Sequence, residues 1–86
     1  MSYTVKWRQK VLDDLGKLPM VISKRIVRKV DSIKEEPRHF LEKLVDDPGY
    51  RLRVGDYRVI IDIIENEKVI AIRVVGHRRN VYERNL

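Results

Sequence analysis

The chain has 86 residues, no cysteine and a formal net charge of +6, from 19 Lys and Arg against 13 Asp and Glu. That length allows one domain, residues 1–86, which buries only about 60–65% of its unfolded surface and has no disulfide or thiolate zinc site to supplement its core. No apolar run approaches the ~20 residues of a membrane span, and Lys6, Arg8 and Lys10 interrupt the early stretch a secretory signal would need, so a soluble, cytoplasmic protein away from membranes is expected.

Tyr3, Val5 and Trp7 alternate with Thr4 and Lys6, a period of two that predicts a first strand over residues 2–7. Val11, Leu12, Leu15 and Leu18 then recur at helical spacing and predict a short helix over residues 8–17. A second helix follows over residues 20–35, with Ile22, Ile26, Val30 and Ile33 as its apolar stripe and Pro37 as its stop. Its opposite face carries Lys24, Arg25, Arg28, Lys29 and Asp31 and is read as a solvated face. Residues 38–49 are the least regular. Phe40, Leu41, Leu44 and Val45 suit a turn of helix against the core, Asp46-Asp47-Pro48-Gly49 is turn chemistry, and His39 is read as a surface residue.

Three strands are predicted from Tyr50 onward. In the first, Arg51 and Arg53 project from one face while Tyr50, Leu52 and Val54 project from the other. Gly55-Asp56 suits a two-residue hairpin turn, and the return strand brings Arg58 back beside the first pair. Val59, Ile60 and Ile61 place apolar side chains on both sides, as a central strand would. Asn66 marks a second turn. The third strand, over residues 68–75, stops at Gly76 and is followed at once by His77, Arg78 and Arg79, with Tyr82 close behind. The predicted fold is therefore α+β: an N-terminal strand, a helical hairpin, then a three-stranded antiparallel meander, all in one small sheet.

Most catalytic templates are absent. There is no Cys nucleophile, no metal-ligand spacing around either histidine and no glycine-rich phosphate loop, so neither a metal nor a cofactor is expected. Asp62, alone on its strand, is read as a structural contact. Of the eight basic residues after Pro48, seven are Arg, whose planar fork suits phosphate. An arginine cluster with one His and several Tyr can grip a phosphodiester and stabilise added negative charge on it. In RNA the 2′-hydroxyl lies beside the scissile phosphate. His77 is suited to proton transfer, and so is Tyr82 if the surrounding cations lower its pKa.

The opening YTVKWRQKVLDDLGKLP, the hairpin YRLRVGDYRVIIDI and the ending VVGHRRNVY together resemble the RelE/ParE superfamily of type II toxin–antitoxin toxins, and within it the RelE branch. The resemblance implies two helices packed on a small antiparallel sheet. It also implies a ribosome-dependent endonuclease that cuts A-site mRNA by 2′-hydroxyl attack and inhibits translation. The implied partners are a RelB-like antitoxin, the ribosome and mRNA, with operator DNA as a target of the toxin–antitoxin complex. Carried over by position, Arg58, His77, Arg78 and Tyr82 are the implied catalytic residues, and Arg51, Arg53 and Arg79 the implied RNA-binding residues. The chain departs from the pattern in carrying Arg–Arg where relatives carry Lys–Lys at the first pair, and in a shorter segment between Gly76 and Tyr82. The alternatives are a ParE-like inhibitor of DNA gyrase and a degenerate toxin that only binds its antitoxin.

Overall fold

The computed structural model describes residues 2–81. Strand β1 (Thr4–Trp7) leads into helices α1 (Gln9–Gly16) and α2 (Met20–Ser32). A one-turn helix α3 (Pro37–Phe40) and a two-residue strand β2 (Glu42–Lys43) follow. Strands β3 (Tyr50–Val54), β4 (Tyr57–Ile64) and β5 (Val69–His77) complete the described chain, with a 3₁₀ turn at Glu65–Glu67 before β5.

The sheet has the order β1-β5-β4-β3-β2. The β3–β4–β5 meander is antiparallel as expected. The expected sheet is corrected in two respects. It has five strands, because Glu42 and Lys43 pair with Arg51 and Tyr50 along the outer edge of β3. It is also mixed, because β1 runs parallel to β5, with Thr4 beside Val69 and Trp7 beside Ile72. The turn of helix expected from Phe40, Leu41, Leu44 and Val45 is not formed there: the helical turn lies earlier, ending at Phe40, and Glu42 and Lys43 are extended. Only Leu44 of its apolar set is buried, held where its N–H donates to the Gly49 carbonyl at 3.0 Å, while Val45 is 74% exposed.

Both long helices lie on one face of the sheet. Val11 and Leu15 of α1 and Ile26 and Val30 of α2 are the buried points of their stripes, joined by Ile33 just past the end of α2. They meet Leu52, Val54, Val59, Ile61, Ile70, Ile72 and Val75 from the sheet. Helix α2 stops three residues before its expected end. The Lys34 carbonyl accepts a hydrogen bond from the Tyr3 N–H at 2.9 Å, so the chain leaves the helix to fasten the start of β1. Ile60, on the other face, is also fully buried, which fits the expectation of a central strand covered on both sides.

One irregularity decides what the end of β5 presents. The register shifts between Ile60, which lies opposite Val74, and Ile61, which lies opposite Ile72, leaving Arg73 as the unpaired residue of a β-bulge. Before the bulge the even residues Ile70 and Ile72 face the helices; after it the odd residues Val75 and His77 do. Arg73 is turned toward two carboxylates. It donates to Asp62 (Nε–Oδ2 3.1 Å) and forms a two-pronged pair with Asp47 (2.9 and 3.0 Å). Asp62 thus has the structural contact expected of it.

Candidate nucleic-acid interface

Alternation along β3 and β4 puts Arg51, Arg53 and Arg58 on the face away from the helices. The hairpin turn is two residues long, so its register is fixed and Arg53 lies directly opposite Arg58. Gly55 opens that turn with φ +58°, a conformation that suits glycine. The Arg58 guanidinium donates from Nη1 to the carbonyls of Gly55 (2.9 Å) and Tyr57 (2.8 Å). This leaves its other N–H groups available, and no described carboxylate lies within ion-pair distance of it.

Glu42, brought alongside by β2, adds a carboxylate to this face. Its carboxylate accepts from Arg53 Nε at 2.7 Å and from Arg51 Nη2 at 3.5 Å. The hydrogen bond from Arg53, with the added charge of Arg51, holds its pKa below the usual carboxylate range. Such a carboxylate stays ionised and binds a proton weakly near neutral pH. The sequence reading missed Glu42 because it fell in the segment with no clear periodicity.

The end of β5 reaches the same hairpin tip. The Arg78 N–H donates to the Asp56 carbonyl at 2.8 Å, and Arg78 Nε lies 3.9 Å from the Asp56 carboxylate. Gly76 lies opposite Arg58, and a Cβ there would come within 3.1 Å of Val81 Cγ2, so the chain after the turn folds back over the arginine face. His77 is paired with Tyr57 on the helix side, their rings 5.3 Å apart and edge to face. Its Nδ1 accepts the Arg79 N–H at 3.2 Å, which leaves Nε2 to carry the proton of the neutral ring. Arg79 is exposed in the turn. The structure thus brings Arg51, Arg53 and Arg58 together on one face and Arg78 to its rim. His77 stands at the end of β5 on the opposite side, and Tyr82 lies outside the described residues.

A second basic region, read from sequence as solvated, lines a trough of about 690 Å³ between α2 and the β3–β4 hairpin. Lys24, Arg25, Arg28 and Lys29 form its helical wall, and Arg53, Val54 and Gly55 the other. Arg25 Nη1 lies only 3.0 Å from where a Cβ on Gly55 would stand.

A sequence model described as the ParE toxin of the parDE type II toxin–antitoxin system matches residues 5–82. The chain is 27% identical over 88 residues to a protein of Methanocaldococcus jannaschii named as a RelE1 toxin, covering 96% of this chain and 98% of that one. It superposes on the toxin–antitoxin complex RelBE2 from Mycobacterium tuberculosis with a TM-score of 0.83 at 27% identity, covering 91% of this chain and all of the matched one. The archaeal RelE–RelB complex from Pyrococcus horikoshii gives a TM-score of 0.74 at 32% identity, covering 94% of this chain and all of the matched one.

Proposed function

From the premise that this chain belongs to the ParE/RelE family of type II toxin–antitoxin toxins, we propose that it acts as a ribosome-dependent mRNA endonuclease, neutralised by a RelB-like antitoxin. The observation that carries the reading is the direct apposition of Arg53 and Arg58 on the sheet face away from the helices, with Arg51 beside them and Arg78 at the rim. Like charges placed directly across a sheet are unfavourable, and a bound polyanion removes the penalty.

In the proposed reaction the 2′-hydroxyl oxygen attacks the adjacent phosphorus and the bond to the 5′-oxygen breaks, giving a 2′,3′-cyclic phosphate and a free 5′-hydroxyl. One proton leaves the 2′-hydroxyl and one is supplied to the 5′-oxygen. Arg51, Arg53 and Arg79 hold the backbone. Arg58 and Arg78 stabilise the charge that develops on the phosphoryl oxygens, a role worth about 10²–10³ in rate per donor in comparable oxyanion sites. Guanidinium groups are poor proton carriers, and His77 stands on the helix side of the sheet, away from the arginine face, so proton transfer in this reaction is assigned to Tyr82.

The test is induced expression of the chain, with primer extension on a defined transcript under translation. Cuts inside codons of the translated region, lost in Arg58→Ala and in Arg78→Ala, are the expected result. Growth arrest with intact mRNA and altered DNA supercoiling would instead assign the gyrase activity of ParE-like members, and no arrest at all would identify a toxin that only binds its antitoxin.

A further inference from the structure

We propose that the trough between α2 and the β3–β4 hairpin is a second RNA site, which takes the sugar–phosphate backbone of a folded RNA while the arginine face takes the strand to be cut. The proposal rests on the RNA-directed reading above but concerns different residues and a different readout.

Lys24 and Arg28 are four residues apart on α2, and so are Arg25 and Lys29, so the helix wall carries two parallel rows of cations. Each step along a row is about 6 Å, similar to the spacing of successive phosphates on a strand. Among the described residues none of the four has a carboxylate within ion-pair distance, whereas Lys10, Lys17 and Lys34 elsewhere on the helical layer each have one. Arg25 is drawn across to the hairpin tip at Gly55, so the charge does not simply splay into solvent. Convergence of these cations, the four on α2 without a carboxylate partner among the described residues, is unfavourable until an anion enters.

The shape of the surface favours a nucleic acid over a protein segment. The centre of a protein interface is depleted in charge, whereas nucleic-acid interfaces are rich in positive charge. Here five cations and no carboxylate are among the described residues lining the trough, beside the apolar side chains of Val21 and Val54. Arg53 joins the trough to the arginine face: it lines the first and pairs with Glu42 on the second. Strand β2 stops opposite Arg51, so beyond it β3 is the outermost strand and nothing in the sheet separates the two basic regions.

The experiment compares the full chain with the triple variant Lys24→Gln, Arg28→Gln, Lys29→Gln. All three side chains are exposed, and an unchanged Tm confirms folding. Binding to purified mRNA-programmed ribosomes and to a synthetic RNA duplex is measured across a KCl series. The expected result is a loss of about 10–100-fold in affinity for both probes, with the slope of log K against log[KCl] reduced by about 2–3. Wild-type affinity and slope in the variant would overturn the proposal. So would the absence of any binding by the unaltered chain, or a loss seen only against the purified antitoxin, which would assign the trough to that protein. Arg58→Ala is run alongside: retained cleavage in that variant defeats the proposed reaction without altering what the trough variant reports.

Discussion

Arg53 and Arg58 meet across the hairpin as like charges, at a position where opposite charges or β-branched pairs would favour the sheet. Repulsion there costs roughly 0.2–1 kcal/mol, while the two hydrogen bonds from Arg58 to the turn carbonyls each return about 0.5–1.5 kcal/mol. The hydrogen bonds outweigh the repulsion, so Arg58→Thr should lower unfolding stability in urea by about 1–2 kcal/mol while cleavage falls by about 10²–10³. Leu52→Ala, one residue from Arg53 but in the core, should cost about 2–5 kcal/mol. Equal destabilisation by the two variants would show that Arg58 is structural. The shared face of Arg51, Arg53 and Arg58 was legible from the sequence, because a two-residue turn and strict alternation leave no other arrangement. Glu42 was not, because its place beside them depends on a two-residue strand with no periodicity of its own.

At the scale of elements, the bulge at Arg73 links the sheet to the loop before β3. Arg73 bridges Asp62 on the neighbouring strand and Asp47 in the loop, and the N–H of buried Gly49 donates to Asp47 Oδ1 at 2.7 Å. A Cβ on Gly49 would stand 2.5 Å from Arg73 Nη2 and 3.2 Å from Asp62 Oδ1. The guanidinium cannot swing aside without releasing both carboxylates, so Gly49→Ala should cost about 1–2 kcal/mol, a fall of roughly 4–16 °C in Tm by scanning calorimetry. Faster hydrogen exchange at the Leu44 N–H, which bonds to the Gly49 carbonyl, should accompany it. In the sequence, Arg73 is the one charged residue of the otherwise apolar run 69–76. The bulge itself was illegible, because an extra residue shows only against its partner strand.

For the molecule as a whole, 86 residues leave little core to spare, and the sheet ends are tied by charge. Glu65 accepts hydrogen bonds from Lys68, from Arg38 (2.7 Å) and from the Tyr3 hydroxyl (2.9 Å), joining the 3₁₀ turn, α3 and the residue preceding β1. The Lys68 bond, then those from Arg38 and Tyr3, lower its pKa to about 2 from the ordinary 4.5. A carboxylate lowered in the folded state contributes stability that is fully present above its unfolded pKa and is lost as pH falls through the folded one. Tm should therefore fall between about pH 4.5 and about 2. Glu65→Gln should lower Tm at pH 7 and flatten the profile in that window, as a melting series from pH 7 to pH 2 would read. Asp47 and Glu42, lowered mainly by Arg73 and Arg53, act in the same direction and leave the variant some residual slope.

The sequence by itself determined the amphipathic helices, the β3–β4–β5 meander and the common face of its arginines, because each follows from periodicities of 2 and 3.6 within a few residues. Only the tertiary structure decided what lies beside what: β1 parallel to β5, Glu42 against two arginines, and the basic wall of α2 against the hairpin. It also decided the side on which His77 stands. Alternation counted from Ile70 and Ile72 would set His77 on the arginine face, and the single extra residue at Arg73 moves it to the helix side. Local periodicity constrains a side chain relative to its own strand, whereas pairing, bulges and grooves are fixed by whichever distant segments bury the most apolar surface together.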